Sequence, residues 1–364
     1  MINKVKTRVC YLACLVILMV GHVLTATASV QGSNDTSFVL GPPNQSGPTT
    51  VYVGFFLSDV TDIDEEREMF EFESVLTLNW HDERQAFDPK ALGTQELIYQ
   101  GQFQFNEVFN GWWPQLVVAN ESGLLERQGV TLRIKPDGSM TYIEEMDAVV
   151  KTTMKLHHLP FDNQSFEIIF KTLGFDRSEV LLVPDPANTG YRTQGVGMAQ
   201  WDFEDMDVFS LAHDLNFADG HHGARSHIAV RINMARNPHY MLRLVVVPLF
   251  ILVMLSWSIF WMDRESLGDR MDISFIGMLT VVAYQIMISE ILPRIDYFTL
   301  MSTFLYLSFL SIAAGVVINL SVARLDRLGR EEEGNKLDRR CRWLFPAVYL
   351  GLNAIGTVYF LVLT

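Results

Sequence analysis

Cysteine is nearly missing from this chain: three occur in 364 residues, and two of them, Cys10 and Cys14, lie in an N-terminal apolar stretch. Lys4, Lys6 and Arg8 lead into that stretch, residues 9–20, and Ala26-Thr27-Ala28 follows with the small side chains a signal peptidase accepts. Residues 1–28 therefore read as a cleaved secretion signal; the alternative is an uncleaved anchor, for which the apolar core is short. Without the signal Cys341 is the one remaining thiol, which excludes an intrachain disulfide. The exported part must hold together by packing and hydrogen bonds even in an oxidising compartment. Paired cysteines for a structural zinc site are missing too, and His221-His222 stands without a third ligand at helical or strand spacing. No metal and no cofactor are expected.

Positive charge is scarce in the first half. Residues 29–235 carry 13 Lys and Arg against 31 Asp and Glu, a net charge of −18, whereas residues 236–364 carry 12 against 11. Such a surface repels a phosphate backbone, so nucleic acid is excluded as a partner, and it raises the local concentration of cations. The plainer reading of most of those carboxylates is solubility. Enzyme signatures are also missing: there is no G-x-S-x-G, no H-E-x-x-H, no phosphate-cradling glycine loop and no dinucleotide fingerprint. No catalytic residue is assigned.

What is present divides at Arg236. Before it come short alternating runs at 50–57, 70–80 and 129–134, punctuated by Pro136-Asp137-Gly138 and Pro184-Asp185-Pro186. These are strand and turn signals, and about ten such strands in one span are most simply a β-sandwich over residues 29–235. After it, residues 244–262, 273–289, 297–323 and 343–364 contain no Lys, Arg, Asp or Glu and are long enough, or nearly so, to cross a bilayer. Four transmembrane helices are expected at about 237–262, 268–291, 295–323 and 341–364, with a loop at about 324–340. That loop region holds Arg324, Arg327, Arg330, Lys336, Arg339 and Arg340, with Arg342 just beyond, so the positive-inside rule places it in the cytoplasm. The sandwich and the C-terminus then lie outside. Four helices with neither an inverted repeat nor a broken segment argue against a secondary transporter.

The second span is the least hydrophobic, with Ser274, Thr280, Tyr284, Gln285 and Ser289. Alternating steps of three and four from Asp269 select Asp269, Asp272, Ile276, Leu279, Ala283, Ile286 and Glu290, one stripe along a helix with acids at both ends and hydrophobes between. Carboxylates facing lipid are costly, so the stripe is expected to face water or protein. Copies of it ringed about an axis describe a cation pathway with an apolar constriction.

Several segments in a fixed order carry a family resemblance. Leu156-His157-His158-Leu159-Pro160-Phe161-Asp162-Asn163-Gln164-Ser165-Phe166 resembles the signature loop of the pentameric ligand-gated ion channels, the Cys-loop receptor superfamily. Trp80-His81-Asp82-Glu83-Arg84 is similar to its Trp-x-Asp-x-Arg strand, and Trp112-Trp113-Pro114-Gln115-Leu116 to its Trp-x-Pro-x-Leu segment. Arg236-Asn237-Pro238 with Pro248 resembles the start of the family's first helix, and Ile291-Leu292-Pro293-Arg294 the end of its second. The bridging cysteines of animal receptors would fall at Thr152 and Phe166, so the chain looks like a bacterial member, and residues 274–284 are similar to the amine-gated bacterial channels.

The resemblance implies a homopentamer in a bacterial plasma membrane, the inner one if the cell is Gram-negative: an extracellular or periplasmic β-sandwich followed by a four-helix bundle, with the second helix of each subunit lining a central pore. Inorganic cations would be the permeant ions and membrane lipid would cover the outer helices. Leu279, Ala283 and Ile286 would form stacked apolar rings, with Leu279 and Ile286 as the closed gate, or would instead pack between helices. Asp269 and Asp272 would form carboxylate rings at the cytoplasmic mouth, with Ile276 above them and Glu290 at the outer end. Arg270, about 100° round the helix from Asp269, would be in reach of a neighbour's acid. Coupling between the two halves would run through Arg236, Asp162, the acidic turn Asp62-Ile63-Asp64-Glu65, with Asp64 as its foremost member, and the loop at Pro293; for Arg236 the alternative is an interfacial anchor.

By the same resemblance an agonist site would lie between subunits, drawing on Asn120, Tyr142, Phe175 and the region of Phe217, although Ala119 and Leu173 stand where animal receptors commonly carry aromatics. Tyr142, Phe175 and Phe217 serve equally well as sandwich core. The stimulus would be a small-molecule agonist, or protons sensed by His157, His158 and the histidines at 213, 221, 222 and 227. The rival reading is a membrane-anchored solute-binding or signalling protein without conduction. The second helix separates the two, because a tether has no reason to align acids and hydrophobes along one face.

Overall fold

Side chains of alternating polarity place every second residue of a strand on one face, and two such faces close on each other to form a core. In the computed structural model the described residues are 41–44, 46–193, 196–211, 225–262, 267–289, 294 and 296–363, and the expected signal segment lies outside them. Twelve strands are described there: β1 Thr49–Asp64, β2 Met69–His81, β3 Leu97–Gln100, β4 Leu116–Val118, β5 Glu121–Ile134, β6 Ser139–Lys151, β7 Asn163–Thr172, β8 Val180–Pro184, β9 Gly190–Tyr191, β10 Gly197–Met198, β11 Trp201–Leu211 and β12 His227–Arg236. One sheet runs β3-β5-β6-β2-β1-β8 with β9 beside β1, and the other runs β10-β11-β12-β7-β4. The expected runs at 50–57, 70–80 and 129–134 fall inside β1, β2 and β5.

The β5–β6 hairpin turns at Pro136-Asp137-Gly138, where Gly138 has φ +84° and a Cβ would lie 2.5 Å from the Asp82 carbonyl oxygen. Only glycine fits both constraints. The Asp137 carboxylate accepts from the Ser139 amide at 2.9 Å and its hydroxyl at 3.0 Å, which lowers its pKa. Between the sheets, Phe55 of β1 meets Phe72 of β2 at 6.0 Å and Phe170 of β7 at 5.9 Å, and Phe70 meets Phe166 at 5.1 Å. Full burial of each ring contributes about 1.5–3 kcal/mol.

The signature loop keeps its shape without sulfur. The Glu167 amide donates to Thr152 Oγ1 at 3.3 Å, tying the two ends, while the Phe166 ring packs between Phe70 and the edge of Trp201. Inside the loop, Gln164 accepts from the Lys155 amide at 3.0 Å and donates to its carbonyl at 2.8 Å.

Among the described residues four helices follow that are long and apolar enough to cross a membrane: α1 His239–Trp261, α2 Leu267–Ser289, α3 Leu300–Arg327 and α4 Glu331–Leu363. In α1 the segment Leu242–Val246 is wound as a π-helix just before Pro248. Proline has no N–H, so the Leu244 carbonyl lacks its usual helical donor, and the Tyr284 hydroxyl of α2 donates to it instead. Trp257 Nε1 donates to Ser311 of α3 at 3.2 Å, and Ser308 of α3 and Tyr349 of α4 join hydroxyls at 2.8 Å. The segment expected as a loop at 324–340 is mostly helical, because α3 and α4 are separated only by Leu328, Gly329 and Arg330. Glu331, Glu332 and Glu333 in the first turn of α4 suit its positive dipole end, which favours starting the helix there.

Candidate functional site

The α2 helix has two faces of opposite character. Asp269, Asp272, Ile276, Leu279, Ala283 and Ile286 are all exposed on the single chain, Leu279 by 72% and Ile276 and Ile286 by 64% each. Glu290 lies outside the described residues. The opposite face buries Arg270, Ser274, Val281 and Ile288 where α2 packs on α1 and α3. The helix thus presents three bulky hydrophobes and two acids on one uncovered stripe. Such a stripe needs other protein or confined water against it, since lipid suits the hydrophobes and not the acids.

Arg270 does not join its sequence neighbours on that stripe. Its side chain is fully buried, with Nη2 2.9 Å from Oδ1 of Asp338 on α4. One turn on, the Ser274 hydroxyl donates to the Arg270 carbonyl at 2.7 Å and accepts from Asn319 of α3 at 3.2 Å.

Where the sandwich meets the helices, Arg236 ends β12 as a buried cation. Its Nε is 2.7 Å from Asp162 Oδ1, its Nη2 3.3 Å from Asp162 Oδ2, and its Nη1 bonds Glu65. The Arg236 guanidinium carbon lies 4.1 Å from the centre of the Trp201 ring, and the Arg236 amide donates to the Asp162 carbonyl at 3.0 Å. Asp162 also accepts from Gln164 at 2.7 Å. Of the expected acidic turn, Glu65 rather than Asp64 reaches the arginine; Asp64 instead accepts from the Arg67 amide at 2.9 Å and holds the β1–β2 turn.

A second contact joins the same surfaces. The His157 ring lies 4.1 Å from that of Tyr297, the Tyr297 hydroxyl accepts from the Leu156 amide at 3.1 Å, and the His157 carbonyl accepts from the Leu300 amide at 3.0 Å at the start of α3. A cavity of about 620 Å³ beside it is lined by Glu65, Glu68, Met154, Arg294 and Asp296 among others. Pro293 lies outside the described residues.

The residues expected at an agonist site have three separate sets of neighbours. Asn120 donates to the carbonyls of Lys151 at 2.8 Å and Glu167 at 2.7 Å and accepts from the Ile169 amide at 3.0 Å, so its carboxamide braces backbone. Phe175 meets the edge of Trp112 at 5.9 Å. Tyr142 is buried, stacked on Trp113 at 5.4 Å and against Phe105 at 5.3 Å. Near it, buried Glu144 lies 2.9 Å from Arg127, and burial pushes the Glu144 carboxyl above the usual range. Phe217 lies outside the described residues.

Glu65 belongs to the acidic turn expected from sequence, whereas Trp201, Tyr297 and Asp338 enter this geometry without having been singled out there. These three are brought in by packing between segments 35 or more residues apart.

A family model described as the neurotransmitter-gated ion-channel ligand binding domain matches residues 37–238. A proton-gated ion channel from Gloeobacter violaceus is 23% identical over 314 residues, covering 86% of this chain and 84% of that protein. An acetylcholine receptor beta subunit from Xenopus laevis is 24% identical over 283 residues, 74% of this chain and 56% of its own. A gamma-aminobutyric acid receptor beta subunit from Caenorhabditis elegans is 24% identical over 243 residues, 65% of this chain and 42% of its own. The chain spans about half the length of these two animal subunits.

Proposed function

The chain belongs to the Cys-loop superfamily of ligand-gated ion channels, and on that premise we propose that five copies surround a cation-conducting pore lined by α2. The observation that carries this reading is the uncovered stripe of α2, with Asp269 and Asp272 exposed at one end and Leu279, Ala283 and Ile286 exposed above them. Rings of carboxylates attract cations and repel anions. An apolar section above them expels water and blocks ions until it widens. Glu290 is assigned to the outer mouth.

Gating is assigned to the sandwich, residues 29–235, acting on the helices through Arg236, Asp162 and Glu65 and through the His157–Tyr297 contact, with the Pro293 loop as the moving part. Two stimuli are supported by different observations. Protons are favoured by the relative named for proton gating and by a histidine in ring contact with Tyr297 where the halves meet. A small amine-bearing agonist is favoured by the relatives named for acetylcholine and gamma-aminobutyric acid, and would draw on the aromatics near Tyr142, Phe175 and Phe217. The basic residues between Arg324 and Arg342 support a cytoplasmic position for that end, with the sandwich and the C-terminus outside.

Reversal potentials of the purified protein in liposomes under a salt gradient test the reading. The wild type is expected to reverse near the cation equilibrium potential, and Asp269→Ala with Asp272→Ala to move it toward zero. An unmoved potential would assign selectivity to other residues, and absence of current across pH and a panel of amines would end the channel reading.

A further inference from the structure

We infer that Asp338, on α4 and away from the stripe, is a selectivity-determining residue that acts by holding the Arg270 charge out of the ion path. The inference rests on the reading of α2 as the pore helix. Arg270 lies between Asp269 and Asp272 in sequence, at the mouth where those two acids would set the charge. A guanidinium on a flexible stem at that position has two places to go. Turned outward, it would halve the net charge that each subunit brings to the mouth; turned inward, it must find an anion inside the bundle.

The structure takes the inward arrangement and supplies the anion. Among the described residues of the four helices, Arg270 is the only buried cation and Asp338 the only buried carboxylate, and they meet at 2.9 Å. Asp269 and Asp272 are left exposed. The other cations near Asp338 are directed elsewhere: Arg339 and Arg340 are exposed, and Arg342 donates to the Phe260 carbonyl at 2.8 Å. The hold on Arg270 has a single ionic bond, since its Nε and Nη1 have no hydrogen-bond partner among the described residues. Removal of the Asp338 charge therefore leaves a buried cation with no ionic partner among the described residues. Its nearest relief is to swing toward water and the acids on its own helix. The charge moves into the mouth, and cation preference falls.

The test uses the full chain in liposomes and reads the potassium-to-chloride permeability ratio from reversal potentials. Asp338→Asn is expected to lower that ratio by about threefold or more, because one of the two fixed negative charges per subunit is offset. The double variant Arg270→Gln/Asp338→Asn is expected to restore the wild-type ratio, and Arg270→Gln alone to leave it unchanged. A pair with a merely structural role would reduce the number of working channels without moving the reversal potential. A wild-type ratio in Asp338→Asn overturns the inference, as does a ratio raised by Arg270→Gln, which would place the guanidinium in the pore already. Should Asp338→Asn fail to assemble, Asp338→Ser, which removes the charge and leaves room for water beside the guanidinium, is read by the same criterion. A wild type with no cation preference overturns this inference together with the pore reading; a cation-selective wild type with an unaltered Asp338→Asn overturns this inference alone.

Discussion

Two buried arginines show how much depends on where one charge is held. Arg236 is enclosed by Asp162, Glu65 and Trp201, and the three contacts are not equivalent. The Asp162 side chain is as deeply buried as the guanidinium, whereas that of Glu65 keeps 15% exposure and can be replaced by water. Asp162→Ala is therefore expected to destabilise the protein by about 3–5 kcal/mol, the cost of leaving a buried cation unpaired. Glu65→Ala should cost clearly less, about 1–2 kcal/mol. Thermal unfolding of the detergent-solubilised protein distinguishes them, and a larger loss for Glu65→Ala would contradict the assignment. Arg236 and Asp162 were both legible in the sequence through the motifs that carry them. Which acid of the expected turn reaches the arginine was not, because adjacent residues in a turn point in different directions and sequence does not fix the phase. Trp201 and Asp338 lie 35 and 68 residues from the arginines they meet, and only the packed fold brings them together.

At the scale of the element, α2 was the most legible part of the chain, because the described residues of a stripe chosen by helical period alone all lie within the broader exposed face of the helix. A gate made of apolar rings works through surface rather than shape, so Leu279→Ser is expected to favour the conducting state and raise the resting current of reconstituted protein. A more silent channel would move the gate elsewhere on the helix. The ends of α3 and α4 were less legible. Charged residues read as a loop after an apolar run, yet Arg, Lys and Glu are good helix formers, and the helices run on until Gly329 interrupts them with φ +73°. The aromatic residues of the sandwich were the least legible. Tyr142 and Phe175 each fit a ligand site and a core equally well by type; the structure packs Tyr142 against the rings of Trp113 and Phe105 and sets half-buried Phe175 against Trp112.

For the whole molecule, the two halves carry different burdens. The sandwich joins its signature loop through a hydrogen bond from Glu167 to Thr152 and through the rings about Phe166, where a disulfide would otherwise lie. The helical half leaves on its surface a stripe that one copy cannot cover. In the proposed assembly, self-association about α2 would answer both the exposed hydrophobes and the exposed acids, and would turn an incomplete bundle into a conduit.

The most direct test of that claim is the water accessibility of α2, read by single cysteines against a membrane-impermeant thiol reagent; the native Cys341 is buried, which keeps the background low. In reconstituted protein, Asp272→Cys and Ala283→Cys are expected to react and to lose current as they do so, while Ser274→Cys and Val281→Cys on the opposite face stay unreactive. Protection of the two stripe positions from the impermeant reagent, together with their labelling by a lipid-soluble one, would show that the stripe faces the bilayer and would contradict the account.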